Sequence, residues 1–304
     1  MNFKTGLAAS SAAFIAFTAA PAFAQEAEPV PAIANEATAV QDGPGDPFAD
    51  TVYDDNWVSI GVGVGYGASY DGSDDYRVFP LPLIQGQLGP VGLDPRPAGL
   101  ALDFIKPAKR GEVDFDLGVV VTLNRNRAKL SEIDDPVVEL AGELDTAIEV
   151  GPTVGVSMPG LLNPFDSLSF TLDTKWDVAG AHDGMTVSPG VTYFTPLSRA
   201  AIASLAVSAE YGDDDHNAYY FGVNGAQALA SGLPTYAADG GINKVSANLL
   251  LGYDLDGDAT NGGLALVAIG GYSRLVGDAK NTPYTSIRGD ADQWLIGAGI
   301  GYTF

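Results

Sequence analysis

The chain has 304 residues and carries 38 Asp and Glu against 15 Lys and Arg, a formal net charge of −23. Acidity on this scale excludes a nucleic-acid partner, because that kind of binding rests on Lys and Arg neutralising phosphates. Cysteine is absent, so neither a disulfide framework nor a thiolate metal site can hold the fold together.

Residues 1–24 combine one basic residue, Lys4, with an apolar run from Leu7 to Ala20 and a small-x-small site, Ala22-Phe23-Ala24, just before Gln25. This is the layout of a secretory signal cleaved between Ala24 and Gln25. Residues 25–55 then place Glu26, Glu28, Glu36, Asp42, Asp46 and Asp50 among Pro29, Pro31, Pro44 and Pro47. Such a segment buries too little surface to offset its ordering entropy, so a disordered acidic periplasmic tail is expected. Further on, no stretch reaches the roughly 18 to 20 apolar residues that a membrane-crossing helix requires.

From Trp57 onward apolar residues alternate with small or polar ones, the period of a sheet whose faces meet different surroundings. Val58, Ile60, Val62, Val64, Tyr66, Ala68 and Tyr70 share one face of the first run, and Ser59, Gly61, Gly63, Gly65, Gly67 and Ser69 the other. Runs of about 9 to 13 residues suit tilted strands that cross a hydrocarbon layer, not the shorter strands of a soluble sandwich. The pattern predicts strands near 57–70, 76–88, 99–106, 112–123, 144–156, 166–179, 186–195, 200–211, 217–226, 242–253, 263–274 and 292–304. The predicted fold is all-β: a transmembrane antiparallel up-and-down barrel of about 12 strands spanning residues 56–304. It belongs in the cell outer membrane, against lipid and lipopolysaccharide.

With the N-terminus periplasmic, the turns near 180–185, 212–217 and 254–262 fall inside, and segments 224–241 and 275–291 fall outside. Segment 124–143 is placed inside although it is long, and 71–75 outside although it is short. Tyr66, Tyr70, Trp176, Tyr193, Tyr211, Tyr253, Tyr272, Trp294, Tyr302 and Phe304 lie near strand ends, where amphipathic rings form girdles at the membrane interface.

Several segments resemble the MipA/OmpV family of outer-membrane barrels, named for a protein that interacts with a lytic transglycosylase. Tyr70-Asp71-Gly72-Ser73, followed by Phe79-Pro80-Leu81-Pro82, resembles its opening motif and Pro-containing second strand. Tyr220, Gly222 and Val223 with Ser231, Gly232, Leu233 and Tyr236 resemble its central stretch, and Tyr272, Leu275, Asp278 and Ala279 its late element. In Asn281-Thr282-Pro283 the chain departs from the Ser-Pro of that element. The resemblance implies an outer-membrane location and, for some members, a scaffolding role between a murein hydrolase and a murein synthase. Other members are treated as porin-like, and the family offers no catalytic residues to carry over.

Chemistry-bearing patterns are sparse. Asp254-Leu255-Asp256-Gly257-Asp258 has the look of a calcium loop, but the twelfth position is Ala265 where a bidentate acid is needed. It reads as an Asp-Gly turn. Asp213-Asp214-Asp215-His216 carries ligand types on a turn too tight to converge them on one ion, and Asp71, Asp74 and Asp75 sit on a hairpin tip. His182 and His216 fall in turns read as periplasmic. No Gly-x-Ser-x-Gly, Walker A or His-Glu-x-x-His pattern appears, so neither an enzyme, a cofactor nor a resident metal is expected.

The inward register collects Asp114, Asp116, Glu149, Asp173, Lys175, Asp177 and Glu210. This set fits a water-filled, cation-favouring channel, or a closed barrel in which the acids pair with Lys175, Arg125 and Arg127. The last strand has Trp294, Ile296, Ile300, Tyr302 and Phe304 on one face. That ending resembles the signal by which the outer-membrane assembly machinery recognises its clients.

Overall fold

The computed structural model describes residues 51–109 and 111–304. Twelve strands run up and down in chain order: β1 (Trp57–Ala68), β2 (Tyr76–Leu88), β3 (Val91–Arg96), β4 (Gly99–Asp103), β5 (Asp114–Asn124), β6 (Ala147–Pro159), β7 (Ser167–Asp177), β8 (Met185–Pro196), β9 (Ala201–Gly212), β10 (Gly241–Asp254), β11 (Gly263–Leu275) and β12 (Asp292–Thr303). Each pairs antiparallel with its sequence neighbour, and β12 returns to β1, so the barrel is closed. The expected fold class is borne out. The signal at 1–24, with Ala22, Ala24 and Gln25, lies outside the described residues, as does the tail up to residue 50.

Alternation decides which face looks where. Ile60, Val62, Val64 and Tyr66 of β1 and Trp294, Ile296, Ile300 and Tyr302 of β12 are exposed on the outer surface. A continuous apolar band of this kind needs hydrocarbon around it. At the seam the inner faces are nearly bare, with Gly61 opposite Gly301, Gly63 opposite Gly299 and Gly65 opposite Gly297. A Cβ on Gly63 would stand 2.6 Å from the Ala298 carbonyl oxygen, and one on Gly299 would stand 2.6 Å from that of Val62. At this one pair, Gly63 and Gly299, the two strands therefore approach more closely than a side chain would allow. Ser59 Oγ and Thr303 Oγ1 bridge the bottom of the seam at 2.6 Å, and Phe304 donates its N–H to the Val58 carbonyl.

The strand count matches the sequence reading, but two members differ. The predicted strand at 99–106 is β4, the second arm of a hairpin whose first arm, β3, has no counterpart in the predicted set; the two join at residues 97–98 with Ala98 in the left-handed region at φ 46°. The predicted strand at 217–226 is helical: α2 (Asp214–Tyr220) and α3 (Gly225–Ser231) follow α1 (Pro136–Leu140) and precede α4 (Gly277–Asn281) and α5 (Pro283–Ser286). One strand missed and one added leave the total unchanged and reverse the sidedness of everything between them. Segments 125–146 and 178–184 consequently join 69–75, 213–240 and 276–291 at one end. The opposite end holds the turns 89–90, 104–113, 160–166, 197–200 and 255–262 together with Phe304.

In bacterial barrels the end with short turns faces the periplasm. The anomaly of a long periplasmic segment at 124–143 thus disappears, and His182 and His216 stand at the outer end. Tyr70 is a second correction: it is 1% exposed and sits inside the outer mouth, not in a girdle. Tyr66, Trp176, Tyr211 and Trp294 are exposed near the outer end, and Tyr253, Tyr302 and Phe304 near the other.

At the periplasmic end a single 3-10 turn, Val52–Asp54, docks on turn 255–262. Val52 N–H donates to the Thr260 carbonyl at 2.9 Å, and Tyr53 O–H to that of Ala259 at 3.1 Å. Asp254 Oδ1 accepts the N–H groups of Asp256 and Gly257, so this acidic stretch spends its oxygens on closing its own turn.

The seam makes the last residues indispensable, since an open edge in lipid leaves backbone groups unpaired. Deleting Tyr302, Thr303 and Phe304 removes the outermost pairs of β12 with both β1 and β11. We expect the truncated chain to lose the heat-modifiable folded band in envelope preparations, and normal amounts of that band would refute the expectation.

Candidate functional site

Below the outer mouth the wall carries charge on one side. Period 2 and the register put Asp114, Asp116, Glu149, Asp173, Lys175, Asp177 and Glu210 on the face opposite the apolar band, with Asp94, Arg96, Asp103 and Lys244 among them. They fall into groups. Lys175 Nζ lies 2.7 Å from Glu149 Oε2 and donates to Thr122 Oγ1 at 3.1 Å, while His182 Nε2 is 3.3 Å from Glu149 Oε1. Arg96 Nε donates to Asp173 Oδ2 at 2.8 Å, and Thr153 O–H to Asp173 Oδ1 at 2.5 Å. Lys244 Nζ stands 3.5 Å from Asp71 Oδ1.

Asp177 serves its own turn, accepting backbone N–H groups of Ala179, Ala181 and His182. Asp114 accepts from Ala108 N–H. Midway down the wall, Asp94, Asp116, Thr171, Thr192, Gly297 and Gly299 are half-exposed although they face inward, so the barrel encloses accessible space.

Over that space the outer segments interlock. One apolar cluster joins Leu144, Tyr220, Phe221, Ala238, Leu275, Ala279 and Ala291, and a second joins Tyr70, Ile133, Val138, Val223, Leu233 and Tyr284. Polar clamps tie the same segments together. Asp135 caps α1 by accepting Val137 and Val138 N–H and takes two bonds from Arg288, at 2.6 and 3.0 Å. Burial alone would raise its carboxyl, but Arg288 and the two backbone groups hold it below the ordinary carboxylate value. Arg127 donates to the Tyr220 carbonyl at 2.8 Å and lies 4.0 Å over the Tyr284 ring, a cation–π contact in a desolvated place.

Tyr236 donates to Asp278 Oδ1 at 2.7 Å, and burial together with that bond pushes its hydroxyl up to about 12. Gly72, at φ +94°, lies so close to Thr285 that a side chain there would collide with it. The residues that carry the family resemblance therefore meet here: Tyr70, Gly72 and Ser73, then Tyr220 to Tyr236, then Leu275 to Ala279. Pro80 and Pro82 are apart from them, on β2.

The two histidines, thought to lie in separate periplasmic turns, meet under this cap with ring centroids 5.1 Å apart. Asp213, weighed as a metal ligand, instead caps α2 through His216 N–H at 3.0 Å and receives Met185 N–H at 2.9 Å. Asp214 accepts Gly240 N–H at 2.7 Å. Among the described residues no group of three or more His, Asp or Glu is placed to hold a metal ion.

A family model described as MltA-interacting protein MipA matches residues 60–304. The chain belongs to the MipA family. The resemblance to the family is thereby borne out. Outer membrane protein Omp26La of Vibrio anguillarum is 30% identical over 116 residues, 38% of this chain and 41% of that protein. The match thus spans less than half of that relative's length.

Among solved structures, OprD of Pseudomonas aeruginosa is similar at 12% identity over 80% of this chain and 65% of its own, with a TM-score of 0.33. OmpT of Vibrio cholerae is similar at 7% identity over 82% and 97%, with a TM-score of 0.35. The toluene transporter TodX of Pseudomonas putida is similar at 10% identity over 88% and 95%, with a TM-score of 0.33. The family, the outer-membrane relative and the apolar outer band agree on location: this MipA-family protein is an outer-membrane barrel.

Two measurements probe the cluster beneath the cap. Burial holds the His216 imidazole down to about 4; Glu149 and Asn217 oppose the shift, while His182 and Lys175 add to it. The unfolded chain takes up that proton near pH 6.5 and the folded one only near 4, so stability present above pH 6.5 falls as pH drops toward 4, by roughly 3 kcal/mol. Thermal unfolding in detergent between pH 7 and 4 should show this loss, and His216→Phe should flatten it. Removing Lys175 with Lys175→Met leaves Glu149 charged and buried, which costs about 3–5 kcal/mol. The double variant with Glu149→Gln should recover much of that loss in the same assay.

Proposed function

We propose that this protein is a non-enzymatic outer-membrane barrel, closed to flow at rest, that serves as a membrane anchor for a murein enzyme at its periplasmic end. The interlocked outer cap carries the first half of this reading: two apolar clusters and the Arg288–Asp135 and Arg127–Tyr220 bonds span segments that would all have to part before solute could pass. The family description, which names an interaction with MltA, supports the second half. The periplasmic turns add a surface suited to protein contact, with Phe104, Ile105, Leu161, Leu162 and Leu197 exposed. A scaffold joining a murein hydrolase to a synthase would dock there.

A cation channel is the second reading, favoured by the acids Asp94, Asp103, Asp114 and Asp116 gathered on one side of the lumen. On that reading the cap is a gate.

Planar-bilayer recording separates the two. The intact protein should give no current steps, and steady cation-selective steps from it would overturn the sealed reading. Affinity capture from envelope extracts should recover a murein hydrolase or synthase, and the double variant Leu161→Asp, Leu162→Asp should lose it at least tenfold. Recovery of neither enzyme at any salt would end the scaffold reading.

A further inference from the structure

The barrel wall is not uniform. β2 pairs with β1 from Tyr76 to Gln87, but with β3 only through Gly86–Leu93, Gln87–Gly92 and Leu88–Val91. Among the described residues, β2 has no strand partner on its β3 side above Gly86, toward the outer leaflet. From Val78 to Ile84 this free edge is roughly 20 Å long at the rise of an extended strand.

The edge is built to stay unpaired. The two-residue turn Gly89–Pro90 closes on the Leu88–Val91 pair, so the even-numbered residues of β2 are those whose backbone groups point toward β3. Along the free stretch these are Val78, Pro80, Pro82 and Ile84. Pro80 and Pro82 have no N–H, which halves the donors left over along this stretch. Buried carbonyls tolerate a missing partner better than buried N–H groups do. Proline on an edge also blocks the strand from recruiting another.

The neighbouring hairpin is held elsewhere. Arg96, near the tip of the β3–β4 hairpin, reaches Asp173 on β7 at 2.8 Å and Thr153 on β6 at 3.4 Å, on the side of the lumen away from β2. Directly behind the free edge, the inward side of β2 is apolar. Phe79 packs with Leu295 and Ile269, and Leu81 lies against them. Room for these side chains comes from Gly65 and Gly297, where a Cβ would stand 2.8 Å from the Phe79 ring and 2.7 Å from Leu81 Cδ1 respectively. Overhead, Arg77 donates to the Ser131 carbonyl at 3.0 Å, so segment 125–146 roofs the place.

We propose that the barrel opens sideways to the membrane between β2 and β3, and that the apolar side of the lumen behind this opening takes an alkyl chain entering from the bilayer. Hydrocarbon is what surrounds the wall at this height, and the cap closes the vertical path. The opposite side of the lumen, with its paired charges, offers such a chain nothing. Because the route avoids the cap, it is compatible with a barrel that passes no ions.

The absence of cysteine makes the test direct. Single variants Leu81→Cys, behind the opening, Thr192→Cys, inward on β8, and Val78→Cys, on the lipid face, are labelled with bimane and reconstituted in vesicles. Only preparations that remain heat-modifiable are compared, with Leu83→Cys replacing Leu81→Cys where the latter does not assemble. In vesicles of dibromo-phosphatidylcholine the label at Leu81 should be quenched at least twofold relative to dioleoyl-phosphatidylcholine, as at Val78, while the label at Thr192 is unchanged. Adding dibromostearate to plain vesicles is the second arm. Quenching by the bromolipid identifies a membrane-lipid chain as the occupant, and quenching by dibromostearate alone identifies a free lipophile. If the label behind the edge behaves like that at Thr192 in both arms, the wall is shut and the proposal is wrong.

Discussion

One constraint governs the architecture: inside hydrocarbon every backbone N–H and C=O must find its partner within the protein. A sheet meets that demand only by closing, so the first and last strands have to meet. In the Gly-to-Gly register of β1 and β12, the Gly63–Gly299 pair lets them do so at a separation no side chain permits there. The same demand explains why the sheet's shortest junction among the described residues, between β2 and β3, is where two prolines stand. Where the ladder stops, the donors that would have gone unpaired have been thinned out.

Closure also sets where variation can live. The wall fixes period 2 and leaves chemistry to inward side chains and to the segments joining strands. The outer segments respond by building a small soluble-like core of their own, with capped helices, an aromatic centre and Arg clamps. The motif residues of the joining segments gather around that core, while Pro80, Pro82 and Tyr272 stand on strands of the wall.

Much of this was legible in the sequence, because a lipid face forces an apolar residue at every second position. The strands around Ile60, Phe115 and Phe170 declared themselves, and the same period sorted Glu149, Asp173 and Lys175 onto the inner face. Two elements were misread for identifiable reasons. β3 is short and carries Asp94, Pro95 and Arg96, so it has no alternation to detect. The stretch with Tyr219, Tyr220, Phe221 and Val223 has strong β-propensity, yet Asp213 caps a helix there. The same Asp213 to His216 stretch that offers ligand types is the helix's N-terminal turn. The unexplained length of 124–143 was the other warning, since misplacing one strand inverts each connection until a second error restores it.

The histidine cluster shows why such an inversion matters for function. Read as periplasmic turns, His182 and His216 were two unrelated residues. With sidedness corrected, they share one desolvated pocket with Glu149 and Lys175 under the cap. A Lys–Glu pair that is 2.7 Å apart and almost fully buried has paid a large desolvation cost and repays it only while its geometry holds. Placing the two imidazoles beside it, and roofing both with Tyr219 and Tyr220, ties the integrity of the charged wall to that of the apolar lid. Neither layer can loosen alone: opening the lid hydrates the pair, and charging the buried His216 imidazole works against the packing of the lid. The outer end and the charged stretch of wall beneath it are thus held together as one unit.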